Sequence, residues 1–287
     1  MSDLLALDRA WMRAHPLPTP GDGGKEERGR VLVVGGELAL AGAVVLAGVA
    51  ALRAGAGKLQ LALAADAAVA VGVAVPEARV FALPQTPDGQ MVAAGAPILA
   101  DPLERCDALL VGPGMMHDEE GLARALLDRV QERPTVLDAG ALNAAAAAPP
   151  PAGGLVLTPH SGEMAKLLDR DKAAIEADPL AAAREAAERF GAVVVMKGAR
   201  THVVGPDGAA GLYAGGGAGL GVSGSGDVLG GLIAGLLARG TPPFEAAAWG
   251  VFLHGEAGAR LSKRVGTLGF LAREIAGEVP GLMDQFL

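Results

Sequence analysis

Val222-Ser-Gly-Ser-Gly-Asp-Val-Leu-Gly-Gly-Leu-Ile-Ala-Gly-Leu-Leu-Ala-Arg-Gly240 runs from a glycine turn through an apolar stretch to a second glycine. The spacing predicts a helix over Val228–Arg239, with Gly224-Ser225-Gly226-Asp227 at its entrance. The N–H groups of a first helical turn have no partner inside the helix, and the helix dipole makes that end positive. Glycines there let the backbone approach a bound anion without an intervening Cβ. Gly224–Asp227 is therefore a candidate phosphate site. Ser225 or Asp227 would also serve in that place as an ordinary helix cap. An aspartate beside an anion site exceeds what a cap requires, because it repels the ligand unless it has catalytic work to do.

Outward from this segment, short apolar strands alternate with helices. Val31–Val34 reads as a strand ending at Gly35-Gly36, and Gly42–Ala54 as a helix stopped at Gly55. Lys58–Ala64, Ala78–Leu83 and Ala108–Val111 read as further strands. Glu119–Glu132 reads as a helix, followed by strands at Thr135–Asp138 and Leu155–Leu157. Lys172–Phe190 reads as one long helix before a buried strand, Ala192–Met196. Thr201–Tyr213 has the pattern of a β-hairpin turning at Pro206-Asp207-Gly208, and Phe244–Lys263 that of a helix with small residues on its packing face. This alternation implies an α/β fold with a mainly parallel sheet covered on both sides. Residues 1–28 read as a leading arm and loop, punctuated by Pro16, Pro18, Pro20 and Gly21. Residues 29–287 read as a single domain, with neither a composition break nor a fixed-period repeat.

Bulk properties exclude several function classes. The chain of 287 residues is long enough to bury a sizeable core. It is 51% hydrophobic but only 3% aromatic, which suits small and branched aliphatics packed on parallel strands. A net charge of −8, with acids and bases mixed, argues against nucleic acid or an anionic membrane as partner. The lone Cys106 excludes an internal disulfide and fits a reducing cytoplasm. Asp3, Asp8 and Arg9 are foreign to a signal peptide, and Leu38–Leu52 is too short and too rich in Gly and Ala for a membrane span of about 20 residues. With 43 glycines, chance pattern matches are expected. Gly219-Leu-Gly-Val-Ser-Gly224 fits the dinucleotide fingerprint by letter, yet lacks the acidic residue expected later. Gly57-Lys58 lacks the Ser/Thr of a P-loop. His15, His117 and His202 form no ligand cluster by spacing.

The Val222–Gly240 segment resembles the signature of the ribokinase-like superfamily and, more narrowly, of the ADP-dependent (S)-NAD(P)H-hydrate dehydratases. Seven further segments agree in order: Val33-Val-Gly-Gly36 with Gly42-Ala43, Ala51-Leu-Arg-Ala-Gly-Ala-Gly57, Val111-Gly-Pro-Gly114, Leu137-Asp-Ala-Gly-Ala-Leu-Asn143, Leu157-Thr-Pro-His-Ser-Gly-Glu163, Met196-Lys-Gly-Ala-Arg-Thr201 and Phe252-Leu-His-Gly-Glu-Ala-Gly258. The match runs from about residue 25 to the end of the chain. The resemblance implies a three-layer α/β/α sandwich and a repair reaction on a nicotinamide ring that has wrongly taken up water. ADP, or ATP in eukaryotic members, would drive restoration of NADH or NADPH from the S form of the hydrate, giving AMP and phosphate when ADP is used.

What the resemblance implies for single residues can be set beside their ordinary readings. Asp227 matches the catalytic aspartate and would accept the hydroxyl proton during phosphoryl transfer. The N–H groups of Gly224, Ser225 and Gly226 would form the anion hole. Ala43, Gly114, His160 and Asp227 fall against the hydrated substrate, and Lys197, Gly198, Ala199, Arg200, Thr201 and Gly226 on the adenylate side. Lys197 would reach phosphate oxygens, whereas a strand-end lysine is otherwise a solvated charge. His160 contacts ligand or caps the helix after Pro159. Glu163 organises Mg2+ through water or stabilises its helix dipole. His254 fits a structural place within its helix. Asp138 and Asn143 either assist at the strand ends or fix their loop.

Departures from the family pattern are Gly140 for a second aspartate, Ser161 for proline, Gly217-Ala218-Gly219 for Asn-Pro-Gly, and Val222-Ser223 for Thr-Gly. An extra glycine and a missing asparagine predict a loop with fewer fixed contacts. Two other activities suit the same pattern: a kinase for a vitamin-precursor alcohol and a nucleotide-binding sensor without turnover. The intact Asp227 argues against the sensor. Partners follow as hydrated NADH or NADPH, an adenine nucleotide, a separate epimerase, and further copies of the chain, since exposed small-residue helices permit a homo-oligomer up to a tetramer without demanding it.

Overall fold

The computed structural model describes residues 4–19, 24–116, 118 and 121–286. One ten-stranded sheet runs through it in the order β1-β10-β9-β8-β7-β6-β5-β2-β3-β4. Its strands are β1 (Leu5–Ala6), β2 (Arg30–Val34), β3 (Lys58–Ala64), β4 (Ala78–Leu83), β5 (Ala108–Val111), β6 (Thr135–Leu137), β7 (Leu155–Leu157), β8 (Val193–Met196), β9 (Thr201–Val204) and β10 (Ala210–Tyr213). Neighbours are parallel except around β9, which is antiparallel to β8 and to β10. The β9–β10 pair is the expected hairpin, in register Val204↔Ala210.

Strand residues alternate between two apolar layers, the reason these short runs form a doubly covered sheet. Val31 and Val33 face one core and Leu32 and Val34 the other, all fully buried. The first core is closed by α2 (Gly42–Arg53), α9 (Ser225–Ala238), α10 (Pro243–Arg264) and α11 (Ala272–Met283). The second holds α5 (Leu122–Leu127), α6 (Ser161–Leu168) and α8 (Pro179–Phe190). Helices on both faces of a mostly parallel sheet make the α/β/α sandwich. Its small-residue composition has a direct use: a Cβ on Gly231 of α9 would lie 2.1 Å from the Ala47 carbonyl oxygen of α2. The two backbones touch there, which fixes the entrance of α9 over the sheet.

Three expectations are corrected. Lys172–Phe190 is two helices, α7 (Lys172–Ala177) and α8, not one. Pro179 removes an N–H donor and disfavours helical geometry at the residue before it. Asp178 accordingly sits at φ −143° and instead caps α8 through Ala181 N–H. The helix expected over Glu119–Glu132 is only Leu122–Leu127, opened by Gly121 at φ +68°. Residues 119 and 120, like residue 117 and residues 20–23 of the leading segment, lie outside the described residues. The arm is also more than a loop. Leu5–Ala6 extends the sheet beside β10, and α1 (Arg9–Ala14) buries Met12 in the first core.

The chain moves from β2 outward to β3 and β4, then returns to place β5 on the other side of β2. At such a reversal the loops beyond the carboxyl ends of the strands diverge and leave a crevice. Here the loops after β2 and β5 stay joined at their base. Gly36 N–H donates to the Pro113 carbonyl at 2.7 Å, and Glu37 N–H to that of Gly114 at 3.2 Å.

Candidate active site

The ends of β5, β6, β7 and β8, together with the entrance of α9, bring most of the expected residues to this crevice. Gly224 caps α9 at φ +88°, in the left-handed region where a side chain is strained. A Cβ there would also lie 2.5 Å from Leu46. The turn it opens closes on itself through Ser225 N–H, which donates to the Val222 carbonyl at 3.2 Å. Among the described residues, no acceptor stands opposite the N–H groups of Gly224, Gly226 and Asp227. That is the anion-binding arrangement expected of a helix start, with the Ser225 N–H occupied within the turn and the Asp227 N–H in the free set.

Asp227 faces the loop after β5 and accepts a hydrogen bond from Gly114 N–H. Gly114 in turn packs against α2, where a Cβ would come within 2.8 Å of the Ala43 Cβ. Ala43, Gly114 and Asp227 thus form one wall. Burial pushes the Asp227 carboxyl up to about 6, and the charge of Asp138 adds to this while Lys197 and the Gly114 N–H oppose it.

Behind the turn lies a buried ion pair. Lys197 Nζ is 2.9 Å from Asp138 Oδ1 and 3.6 Å from Glu163 Oε2. Thr158 Oγ1 donates to Asp138 Oδ1 at 2.7 Å. These residues lie 59 and 20 positions from Asp138 in sequence, yet adjacent parallel strands set their ends side by side. Burial raises the Asp138 carboxyl, but Lys197 and Thr158 outweigh it and hold the group below the usual carboxylate range. Burial likewise lowers Lys197, and the carboxylates of Asp138, Glu163 and Asp227 more than reverse it. A Cβ on Gly226 would stand 3.4 Å from Lys197 Nζ, so the cation lies beside the open N–H groups.

His160 and Glu163 cap α6 reciprocally. His160 Nδ1 accepts from the N–H groups of Gly162 and Glu163 at 3.0 and 3.2 Å, and Glu163 Oε2 accepts from His160 N–H at 2.8 Å. The capping role of both residues is therefore real and leaves the exposed edge of the His160 ring toward solvent. Lys197 N–H donates to the Pro159 carbonyl at 2.8 Å, tying β8 to this cap. Beyond Lys197, Gly198, Ala199 and Arg200 are exposed, and Thr201 Oγ1 donates to the Gly198 carbonyl at 3.3 Å. Asn143 is exposed and forms no hydrogen bond to Asp138.

Sequence reading missed the Lys197–Asp138–Thr158 set as a unit, and the contact beneath the turn. His254 Nε2 lies 2.9 Å from Ser225 Oγ and 3.1 Å from the Ser225 carbonyl oxygen. In the segment Gly217–Ser223 the extra glycine, Gly217, is exposed at φ +81°, with no atom nearer than 3.8 Å to where a Cβ would stand. Gly219, where the family pattern also has glycine, is buried so closely that a Cβ would meet the Phe270 ring at 2.3 Å, and the N–H groups of Leu220 and Gly221 bond within the loop.

A groove of 430 Å³ at the far sheet edge, lined by Leu5, Leu7, Leu212 and Tyr213 among others, includes none of these residues. Among the described residues no three His, Cys, Asp or Glu side chains converge to hold a metal ion, and no helix is long and apolar enough to cross a membrane.

Comparison with known proteins points to one family. The family model described as NAD(P)H-hydrate dehydratase matches residues 31–280. An ADP-dependent (S)-NAD(P)H-hydrate dehydratase of Xanthomonas campestris pv. campestris is 52% identical over 279 residues, which is 96% of this chain and 95% of that one. A bifunctional NAD(P)H-hydrate repair enzyme of Moorella thermoacetica is 40% identical over 96% of this chain, and the chain spans 53% of its length. The crystal structure of the ADP/ATP-dependent NAD(P)H-hydrate dehydratase of Bacillus subtilis, co-crystallized with ATP/Mg2+, has a TM-score of 0.84 at 27% identity over 100% of both chains. The sandwich is therefore ribokinase-like in kind, as a solved ribokinase-like superfamily protein of Enterococcus faecalis, with a TM-score of 0.85, also indicates. With the match extending along nearly the whole of the chain, it belongs to the NAD(P)H-hydrate dehydratase family.

Proposed function

We propose that this protein restores NADH or NADPH from the S form of its hydrate at the expense of ADP. The observation that carries the reading is Asp227, a carboxylate held at the mouth of unpaired helix N–H groups with a lysine beside them. A carboxylate so placed works against simple anion binding, and gains its use when it takes a proton from a hydroxyl that attacks phosphorus.

In this scheme the ring hydroxyl of the hydrate lies against Ala43, Gly114 and His160, with its proton directed at Asp227. The adenylate lies along Lys197–Thr201. As the hydroxyl oxygen bonds to the terminal phosphorus of ADP, its proton passes to Asp227 and the bond to the AMP oxygen breaks. The N–H groups of Gly224 and Gly226, with Lys197, stabilise charge on the transferring oxygens. The lone pair of the ring nitrogen then expels phosphate, and loss of the neighbouring proton restores the double bond. Magnesium on the nucleotide phosphates supplies further positive charge. Such an ion needs few protein ligands, and Glu163 would suit contact through water: its side chain is partly exposed, with Oε2 held by the His160 N–H and Oε1 3.5 Å from His160 Nε2.

The charge state of Asp227 gives a pH prediction. The group must be ionised to accept a proton, and its carboxyl is pushed up to about 6. kcat/KM is expected to rise with pH through this value and then level off. A profile flat from pH 5 to pH 7 would contradict the assigned base.

The same reading places the protein in the cytoplasm, paired functionally with an epimerase that supplies the S form. It also favours a homo-oligomer, up to a tetramer. Val69 and Val73, 81% and 79% exposed, lie one turn apart in Ala68–Ala74 (α3) and make an apolar stripe suited to another copy. The reaction is tested by mixing the protein with hydrated NADH, magnesium and either ADP or ATP, and following the return of dihydronicotinamide absorbance. Recovery with ADP is expected; no recovery with either nucleotide removes the reading.

A further inference from the structure

Among the described residues His254 is the one imidazole set against the backbone of the anion turn, and its partners are unusual. It reaches from the middle of α10 to the first residue of α9, where both the hydroxyl and the carbonyl of Ser225 lie within hydrogen-bond distance of a single nitrogen. A carbonyl oxygen only accepts, so the contact at 3.1 Å requires the proton on Nε2. Burial pushes the imidazole down to about 4, and the Lys197 charge adds to this against the Ser225 carbonyl. The ring is neutral at pH 7 and places no extra charge under the turn.

The carbonyl of Ser225 and the N–H of Gly226 belong to one peptide unit. Such a unit is planar and trans, so its C=O and N–H point in opposite directions. Holding the oxygen against α10 therefore aims the Gly226 N–H away from α10, toward the open face beside Lys197. The other end of Ser225 is fixed separately, by its own N–H bond to Val222. Ser225 opens α9, so its carbonyl also takes the helical bond from Leu229 N–H; among the described residues His254 is the side chain that adds a second hold on that oxygen and reaches the hydroxyl.

We propose that His254 is a positioning residue that steadies the first peptide of α9, and with it the direction of the Gly226 N–H, and so preorganises the anion hole for phosphoryl transfer. It touches neither substrate nor nucleotide. Its effect falls on the transition state, where the donor must meet oxygens whose charge is growing. The inference rests on the dehydration reading for its kinetic arm and on geometry alone for its spectroscopic arm.

The test compares wild type with His254→Leu and His254→Gln. Glutamine can return an N–H to the Ser225 carbonyl, whereas leucine cannot. In His254→Leu, kcat is expected to fall roughly a hundredfold, with KM for hydrated NADH and the Kd for ADP changed by no more than about threefold. His254→Gln should recover most of that loss. In parallel, the Gly226 amide resonance is followed during titration with ADP and magnesium; the wild-type and Gln proteins should shift alike, and the Leu protein should not. A His254→Leu protein with wild-type kcat and a wild-type Gly226 response overturns the proposal. So does parallel loss of kcat, ADP binding and melting temperature without rescue by glutamine, which marks a merely structural residue. If wild type itself fails to dehydrate, the reaction assignment is lost and the Gly226 response decides this inference alone.

Discussion

Asp227→Asn is expected to lower kcat by roughly a thousandfold, with ADP binding retained and a higher melting temperature. Asparagine has nearly the same shape, and its side-chain oxygen can still accept from Gly114 N–H, the contact that joins Asp227 to the wall of Ala43 and Gly114. The open N–H groups and Lys197 stay in place, so the adenylate side is untouched. What is lost is the proton acceptor. Stability moves the other way for an electrostatic reason. The folded state raises the Asp227 carboxyl to about 6 from an ordinary 3.8, through burial and the like charge of Asp138. A group raised in this way favours the folded state below its ordinary value, and that benefit is gone once pH has risen through about 6. At neutral pH the charged form is a burden, and a neutral amide relieves it. Steady-state kinetics, ADP titration and thermal unfolding of one variant check all three parts. A variant with near-normal kcat would remove Asp227 from its role.

Lys197→Met carries the second large effect, on stability as much as on activity. Asp138 is 3% exposed, and its carboxylate depends on the Lys197 ammonium at 2.9 Å. Removing one partner of a buried pair leaves an uncompensated charge, at a cost of about 3–5 kcal/mol. The pH dependence identifies the cause. In wild type the lowered Asp138 carboxyl contributes stability above its ordinary value, and this is lost as pH falls through the folded value. In the variant, burial of Asp138 is no longer offset, so the carboxyl takes up a proton instead. The gap in stability between the two proteins should be widest near pH 7 and narrow toward pH 4. A gap independent of pH would mean that packing, rather than charge, is what Lys197 provides. Phosphoryl transfer should also slow in the variant, because the cation beside the Gly226 N–H is gone.

The fold was legible because its local and global signals agree. β3, β4, β5 and β7 coincide with the short apolar runs read as strands, and Gly55 and Gly240 stop their helices where expected. Where reading failed, the cause was usually local chemistry overlooked. Asp178-Pro179 splits a pattern that periodicity alone joins, and α1 and β1 hide in a short polar segment whose few apolar residues find a ready-made edge. Glycines presented a different difficulty. Nothing local shows that Gly219 must be a glycine, and its place under Phe270 is visible only once α11 and the loop before it have folded back.

The site was half legible. Gly224–Asp227 stands out from one segment, because a glycine turn, a helix start and an acid lie within a few residues. Asp138, Thr158 and Lys197 each look like ordinary strand-end residues, and only the order β6-β7-β8 makes them neighbours. A usable signal was present: polar residues at the carboxyl ends of consecutive buried parallel strands converge on one edge. Ser225 gives the finer lesson. Its N–H serves the turn, and its side chain and carbonyl face His254, so a residue whose N–H spacing alone offers to an anion has that N–H occupied in the fold.

In the proposed reaction the ring hydroxyl is phosphorylated before it leaves. Hydrated NADH carrying oxygen-18 in that hydroxyl tests it directly, with unlabelled ADP, magnesium and ordinary water. If Asp227 delivers the hydroxyl oxygen to phosphorus, the label appears in inorganic phosphate, one atom for each NADH restored. Recovery of NADH with the label released into water would contradict the account.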